Sequence, residues 1–314
     1  MLPCRVLPLV FGLLVPGSLG AQSPAAGPAV RFTGYLQVRE TYQHRVGLTA
    51  SINRARLAAY GEVTPALTWR IQGEFRTGSV GTGKASVSLQ DAYARYARDA
   101  WALQAGQFKT PFTREFVTSL ADLEMPDRTM VVDSLAPKRD IGAMVEYRVR
   151  KAVTMWLGVF NGEGQNVTAN RDSSALGVGR LVVRPVPRLA LGVEGARYFA
   201  DSTRYGLEAN YEGAHLSLRT EYVGQHRDQQ VGDDHGWYAL GAYQVNPLIQ
   251  LVARYEEFER TSAPGAQTPS AWGAGTNLFF AAGKAKLMLD YLSRKSGTPA
   301  TTTGLLLSQL QVRF

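Results

Sequence analysis

The chain has 314 residues, 45% of them hydrophobic and 10% aromatic, and a formal net charge of +8. This basic balance is compatible with nucleic acid, a polyanionic surface or an anionic solute as the partner. No basic run or RNA-binding aromatic motif is present, so we expect no nucleic-acid partner. After residue 21 no apolar stretch reaches the about 18 residues of a helical membrane span, which excludes helical membrane proteins.

The first residues have the pattern of an export signal: Arg5, a short apolar core at residues 6–15 and small residues at 18–21. A buried N-terminal strand or helix is the alternative, but the prolines in this stretch disfavour it. The single cysteine, Cys4, lies in the signal, so we expect no disulfide and no Cys-ligated metal in the mature protein. The predicted organisation is a signal peptide (residues 1–21), a short N-terminal segment (22–29) and one β-barrel domain (30–314).

From residue 30 onward, segments of about ten residues alternate between apolar and polar side chains. Residues 66–76 show this most clearly, with Leu67, Trp69 and Ile71 on one face and polar side chains on the other. One face suits lipid and the other water, as in outer-membrane barrels. We therefore predict an all-β transmembrane barrel of about sixteen antiparallel strands, at residues 32–39, 52–63, 66–76, 87–96, 101–108, 141–148, 153–160, 176–183, 189–198, 204–212, 215–223, 237–245, 249–256, 272–280, 284–292 and 305–314.

The connections alternate in length. Those after even-numbered segments are short, such as residues 64–65 and 98–99, whereas those after odd-numbered segments are generally longer, such as 41–50 and 293–303. Residues 200–203 are the exception. Short turns at one rim and longer loops at the other are typical of an outer-membrane barrel. A soluble β-sandwich is the alternative, but half of each strand is polar and could not be buried between two sheets.

The third long connection, residues 110–138, fits neither a strand nor a long helix. A structureless insert of this length is functional or disordered, and its high apolar content disfavours disorder. We expect it to be the third extracellular loop and to fold inward, because a sixteen-stranded barrel leaves a water-filled lumen that must be narrowed to select solutes.

Three motifs carry a resemblance to a known family: LQDAY at residues 89–93, GQFKTPF at 106–112 followed by Glu115, and RDIG at 139–142. With the signal and the terminal Phe314, the chain resembles the phosphate-selective porins O and P. The resemblance implies a sixteen-stranded, homotrimeric barrel in the outer membrane of a Gram-negative bacterium, in contact with outer-membrane lipid. The family often has Gly at the position of Thr113.

The polar faces of the first three strands carry a local excess of arginine, against Glu74 alone. These arginines are Arg39, Arg54, Arg56, Arg70 and Arg76. The resemblance implies an arginine ladder that guides phosphate inward, and we place it here. Lys109 and Arg114, at the start of the long loop, are candidates for the constriction. Arginine suits this role because its planar fork of donors matches phosphate or carboxylate.

The excess of arginine is local, because later strands place carboxylates on the same side: Glu146, Glu194, Glu208, Glu221, Glu256 and Asp290. An alternative hypothesis is therefore that the arginines brace the long loop by pairing with wall and loop carboxylates. The candidates for this pairing are Asp91, Glu115, Asp122, Glu124 and Asp127.

The expected function is passive diffusion of small hydrophilic solutes, with a preference for anions such as phosphate or related oxyanions. A non-selective general porin and a structural or adhesive barrel with a plugged lumen are the alternatives. The four histidines share no metal-ligand spacing, and no wall carries a marked nucleophile. We therefore expect no catalytic residues, no metal site and no cofactor.

Overall fold

The structure, a computed structural model, describes residues 30–76, 85–170, 174–229, 232–261 and 267–314. The predicted signal peptide (1–21) and N-terminal segment (22–29) lie outside the described residues. The described strands are β1 (Arg31–Gln43), β2 (Gly47–Thr64), β3 (Leu67–Arg76), β4 (Ser86–Arg98), β5 (Trp101–Lys109), β6 (Arg139–Val149), β7 (Val153–Phe160), β8 (Leu176–Val186), β9 (Leu189–Tyr198), β10 (Ser202–Glu212), β11 (Leu216–Arg227), β12 (Asp234–Asn246), β13 (Ile249–Arg260), β14 (Ser270–Phe280), β15 (Ala285–Ser296) and β16 (Thr301–Arg313). The described helices are α1 (Arg114–Val117), α2 (Met130–Leu135) and a 3₁₀ turn (Ala281–Gly283).

The sixteen strands form one closed antiparallel barrel in which each strand pairs with its neighbours in sequence. Strand β1 closes the cylinder against β16, with Tyr35 opposite Arg313 and Gln43 opposite Leu305. The Phe314 carbonyl also accepts a hydrogen bond from the Gly34 amide at 3.0 Å. Closure leaves no free sheet edge among the described strands, so each of them is paired on both sides within the chain. The predicted fold class and strand number are confirmed.

The period-two alternation places apolar side chains outside and polar ones inside. On β3, Ile71 and Phe75 are exposed on the outer surface, whereas Gln72 and Glu74 are buried toward the lumen. Aromatic pairs lie near the strand ends on the outer surface, with ring centroids 5.4 Å apart for Trp237 and Tyr255. Such rings suit the boundary between hydrocarbon and water.

Two connections are shorter than the sequence suggested. The loop expected at residues 41–50 is only residues 44–46, because β1 runs to Gln43 and β2 begins at Gly47. The loop expected at 293–303 shrinks to residues 297–300 for the same reason. In both hairpins the backbone pairing continues past the apolar stretch. Hydrophobic alternation marks only the part of a strand that faces lipid, so it underestimates the strand length.

Residues 110–138 lie inside the barrel, as predicted, and are called the inner loop below. Helices α1 and α2 both belong to it. None of the helices in the described part of the chain is long and apolar enough to cross a membrane. Among the described residues, most of the buried apolar side chains form one cluster between this loop and the inner wall. The end of the barrel from which the inner loop enters is called the loop end, and the opposite end the turn end.

Candidate functional site: a lumen narrowed by the inner loop

Local sequence determines the two helices of the inner loop. The Thr113 hydroxyl accepts a hydrogen bond from the Phe116 amide at 3.1 Å, and the Thr129 hydroxyl accepts one from the Val132 amide at 3.3 Å. These are N-caps, which satisfy otherwise unpaired amides at helix starts. Pro137 follows Ala136 directly after α2 and prevents further helix, since the residue before a proline disfavours the helical conformation.

An apolar face of α2 holds the loop against the wall. Val131, Val132 and Leu135 are fully buried and contribute to the same core cluster as Tyr238 and Phe258 of strands β12 and β13. Burying a Val or Leu side chain contributes about 1.5–3 kcal/mol. The loop is therefore packed as a core element.

Polar wall side chains hold the middle of the loop on β14–β16. Asn277 donates to the Glu124 carbonyl at 2.8 Å, and Lys286 donates to the Leu123 carbonyl at 2.8 Å. Arg313 pairs with the Asp122 carboxylate at 2.6 Å. Asn277, Lys286 and Arg313 all lie near the turn end of their strands, so the loop descends deep into the lumen.

Glu115 joins the two helices of the loop. One of its carboxylate oxygens accepts hydrogen bonds from the Thr129 amide at 3.0 Å and hydroxyl at 2.7 Å. The other lies 3.7 Å from Nη1 of Arg254 on β13. Complete burial raises the pKa of Glu115, although Arg254 and the Thr129 hydrogen bonds act in the opposite direction. The carboxyl is thus held at a buried junction of loop and wall.

Asp127 links the loop to β1 and β2. Arg39 donates to both of its oxygens, at 2.8 and 3.0 Å, and Arg54 lies 3.4 Å from one of them. Burial alone would raise the pKa of Asp127, but the hydrogen bond and charge of Arg39 and the charge of Arg54 outweigh it and lower the pKa to about 2. Asp127 is therefore ionised throughout the physiological range.

The loop leaves open a cavity of about 520 Å³ against β2–β4. It is lined mainly by charged and polar side chains: Arg54, Arg56, Glu74, Arg76, Ser86, Ser88, Gln90, Phe116, Leu120, Arg128, Asp133, Lys138, Arg139, Gln165 and Asn166. Six of these side chains carry cations and two carry carboxylates. A narrow passage of this charge offsets part of the cost of removing an anion from water.

Carboxylates neutralise several of these cations. Glu74 pairs with both Arg56 and Arg76. Arg139 donates to Asp91 at 2.8 Å, and Lys138 lies 3.7 Å from Asp133. Such pairing lowers the net field that a passing ion experiences.

Arg128 is bound differently. Its guanidinium lies over the Phe116 ring, 4.9 Å from the centroid, and donates to the Phe116 carbonyl at 3.1 Å. Among the described carboxylates, none lies within 4.0 Å of it. Burial lowers the pKa of Arg128 to about 10, with the charge of Glu115 opposing the shift, so it stays protonated at neutral pH. Its charge is available to an ion in the cavity.

A second cavity, of about 290 Å³, adjoins the first and shares Arg54 and Arg128 with it. It adds Arg260 and Arg294, which lie at the loop ends of β13 and β15. Guanidinium groups therefore line both cavities, from Arg260 and Arg294 at the loop end of the barrel to Arg54 on β2.

The structure brings together three of the seven candidate residues, Arg54, Arg56 and Arg76. Two others lie on the wall outside this cavity: Arg39 pairs with Asp127, and Arg70 lies 3.9 Å from Asp91. In both, the guanidinium is engaged by a carboxylate.

The remaining two candidates, Lys109 and Arg114, do not line the cavity. Lys109 donates to the carbonyls of Val117 and Thr118, at 3.1 and 2.6 Å, where α1 ends. Arg114 donates to Glu212, the last residue of β10, at 3.3 Å and lines another cavity, beside β7–β10. Lys109 therefore supports the loop, and Arg114 faces a separate part of the lumen.

Sequence reasoning missed Arg128, Lys138 and Arg139. The inner loop contains three basic residues, Arg114, Arg128 and Lys138, and composition alone does not rank them. Arg139 stands in the RDIG motif, directly after the loop, where a basic residue at the loop exit was the available signal.

The comparison with solved structures finds the same fold. An anion-selective porin from Comamonas acidovorans matches with a TM-score of 0.69 and 11% identity, over 91% of this chain and 100% of that one. The outer-membrane channel DcaP of Acinetobacter baumannii matches at 0.67 and 13%, over 94% and 100%. OmpT of Vibrio cholerae, an outer-membrane protein in trimer form, matches at 0.67 and 13%, over 92% and 100%. At these identities the likeness concerns the fold alone.

The comparison with curated proteins returns no match. The family model for phosphate-selective porins O and P matches residues 29–188, just over half of the chain. The match covers β1–β8 and the inner loop, which are the elements that form the basic cavity. A closed sixteen-stranded barrel with a loop in its lumen is the architecture of an outer-membrane channel. The chain therefore belongs to the phosphate-selective porin O and P family, as a channel of the outer membrane of Gram-negative bacteria.

Proposed function

We infer that the channel passes small hydrophilic solutes down their gradients and prefers anions, with phosphate or a related oxyanion as the solute. The cavity between the inner loop and β2–β4 carries this proposal, because six cations line it against two carboxylates. Arg128 contributes most, since no described carboxylate lies within 4.0 Å of it, and Arg54 comes next because its hydrogen bond to Asp127 is long, at 3.4 Å. Guanidinium groups bind phosphate oxygens in pairs, which suits this solute class.

A non-selective porin is the second candidate, and a specific observation favours it. Arg39, Arg56, Arg76 and Arg139 each lie against a carboxylate, which supports the bracing hypothesis for these residues. If pairing removes most of the field, the pore would discriminate weakly. Arg128 is the residue that distinguishes the two hypotheses.

Current recording from planar bilayers tests the anion-preferring channel against the non-selective porin. Purified protein is expected to form open pores whose reversal potential in a KCl gradient shows a preference for chloride, and added phosphate is expected to reduce the chloride current by binding inside. Equal permeability to both ions would favour the general porin. A preference for cations would overturn the anion proposal, and absence of conductance would favour a plugged structural barrel.

The proposal includes a homotrimer and a cleaved signal peptide at residues 1–21. OmpT of Vibrio cholerae, which has the same fold, is described in a trimer form. Unheated electrophoresis and native mass spectrometry of the detergent-solubilised protein are expected to give three copies. N-terminal sequencing of protein from outer membranes is expected to begin after Ala21, and a retained Met1 would contradict cleavage.

A further inference from the structure

Three glutamates converge on the inner wall, opposite the basic cavity. Glu194, Glu208 and Glu221 come from the neighbouring strands β9, β10 and β11, where Glu208 lies opposite Glu221 and Glu194 opposite Gly206. One carboxylate oxygen of each lies within 4.8 Å of the others. The three side chains are only 6%, 5% and 1% exposed. Like charges this close and this buried are costly unless something compensates them.

Two glycines allow the carboxylates to lie flat against the wall. A Cβ at Gly206 would be 2.5 Å from Oε1 of Glu194, and one at Gly192 would be 2.6 Å from Oε1 of Glu208. Any larger residue at either position would displace a carboxylate. The backbone therefore provides the room that the cluster occupies.

Protein donors satisfy only part of the cluster. Arg180 donates to both oxygens of Glu208, at 2.8 and 2.9 Å, and the Tyr238 hydroxyl donates to Glu221 at 2.8 Å. In contrast, neither oxygen of Glu194 has a hydrogen-bond partner among the described residues, and neither does Oε2 of Glu221. Glu194 is thus a nearly buried carboxylate that points into the cluster without a donor.

The net charge and the free oxygens of the cluster suit a cation. When all three carboxylates are ionised they carry a charge of −3, and Arg180 returns +1, which leaves −2. Asn210, two residues after Glu208 on the same face of β10, adds a buried amide oxygen that has no partner among the described residues. Carboxylate and amide oxygens are the ligands that calcium prefers, in flexible arrangements of six to eight oxygens.

We propose that Glu194, Glu208 and Glu221 bind a divalent cation, with calcium as the best fit. The ion neutralises the residual charge and takes the free oxygens of Glu194 as ligands. A cavity of about 360 Å³ reaches the Glu208 side of the site, lined by Glu208, Asn210 and Glu212 together with Arg114, Arg180, Arg184 and Arg188. Because Glu221 also accepts the Glu115 amide of α1 at 2.7 Å, the ion ties three wall strands to the inner loop.

Calcium titration of the complete barrel tests the site. The protein, refolded into a zwitterionic detergent so that no anionic lipid competes, is stripped with EDTA and titrated with CaCl₂ in a calorimeter. One saturable site per chain is expected, with affinity falling about tenfold or more in Glu194→Gln and in Glu208→Gln. Heat-dependent migration on gels verifies folding of each variant.

Asp290→Asn provides the matched control. Asp290 on β15 is also buried, with both oxygens lacking partners among the described residues, but it lies outside the three-carboxylate group. This variant is expected to retain the wild-type affinity. Loss of binding in Asp290→Asn equal to that in Glu194→Gln would contradict the assignment.

A spectroscopic measurement locates the ion independently. Terbium replaces calcium in oxygen sites, and Tyr238, bonded to Glu221, is placed to sensitise its emission. Tyrosine-excited terbium luminescence that calcium displaces supports the site. Absence of saturable calcium or terbium binding to the folded wild type would show that the carboxyls hold protons instead and would overturn the proposal. Binding unchanged in Glu194→Gln would place the ion elsewhere and would overturn it as well.

Discussion

Arg39 on β1 and Asp127 in the inner loop form a two-point ion pair, in which Nη1 and Nη2 donate to Oδ2 and Oδ1 at 2.8 and 3.0 Å. The two residues are 88 positions apart in sequence. The pair joins the loop to the strand that closes the barrel, and Gln309 of β16 supports it by accepting from the same guanidinium at 2.8 Å. The wall arginine therefore fixes how far the loop stands from β1 and β2.

Replacing Asp127 by Asn is expected to destabilise the barrel and to loosen the loop. The variant removes a charged hydrogen-bond acceptor from two arginines, a loss of about 1.5–3 kcal/mol in the free energy of unfolding. Urea unfolding followed by tryptophan fluorescence measures it. Asp228→Asn is the matched control, because Asp228 makes the same two-point pair with Arg197 on the surface. Exposed pairs contribute about 0–1 kcal/mol, so equal losses would contradict this interpretation.

The ionisation of Asp127 also predicts how the stability of the fold changes at low pH. The pKa of Asp127 falls from 3.8 to about 2 in the folded protein, so its ionised form stabilises the fold above pH 3.8. That contribution is lost as the pH falls through about 2. Asp127 is ionised in both the folded and the unfolded protein from roughly pH 5 to 8. The difference in melting temperature between wild type and Asp127→Asn is therefore expected to be constant over about this range and to shrink below about pH 4. A constant difference down to pH 2 would contradict the assigned pKa.

The number of strands and the face of each arginine were predictable, because both follow from a local period of two. The lumenal positions of Arg54, Arg56 and Arg76 are examples, and so is the length of the inner loop. The path of that loop was not predictable, since it depends on contacts such as Lys286 with the Leu123 carbonyl, 163 residues apart. Local sequence patterns do not show which residues form such long-range contacts.

The contacts of the basic side chains could not be predicted from the sequence either. Lys109 and Arg114 were placed at the constriction because they begin the loop, yet Lys109 binds backbone carbonyls and Arg114 donates to Glu212. The position of Arg128 depends on how the loop packs around Phe116. Each outcome is determined by tertiary packing, which composition does not encode.

Arg128→Gln is expected to lower the preference for anions. A unit charge about 6 Å from a passing ion contributes about 0.7 kcal/mol in a water-like dielectric, or roughly threefold in permeability ratio. Reversal potentials in a KCl gradient measure the change, and Arg54→Gln is expected to act in the same direction. Arg31→Gln is the control, because Arg31 pairs with Glu62 at the exposed turn end, outside the cavity. An unchanged ratio in Arg128→Gln would exclude Arg128 from the conduction path.

Thr113 has an unusual backbone, with φ of +51° and ψ of 146°, a combination that favours glycine. The strain costs about 1–3 kcal/mol. Replacing the threonine cap by Gly costs a few tenths of a kcal/mol, and the extra freedom of the unfolded chain costs roughly 0.4–1 more.

Relief of strain therefore outweighs the two losses, and Thr113→Gly is expected to leave stability equal or up to roughly 2 kcal/mol higher. Thr113→Ala keeps the strain and loses the hydroxyl that accepts from Phe116, so it is expected to cost about 1 kcal/mol. The midpoint of urea unfolding should place Gly equal to or above the wild type and Ala below both. If Gly were the least stable of the three, the cap would matter more than the backbone, and the strain assigned to the start of the inner loop would be wrong.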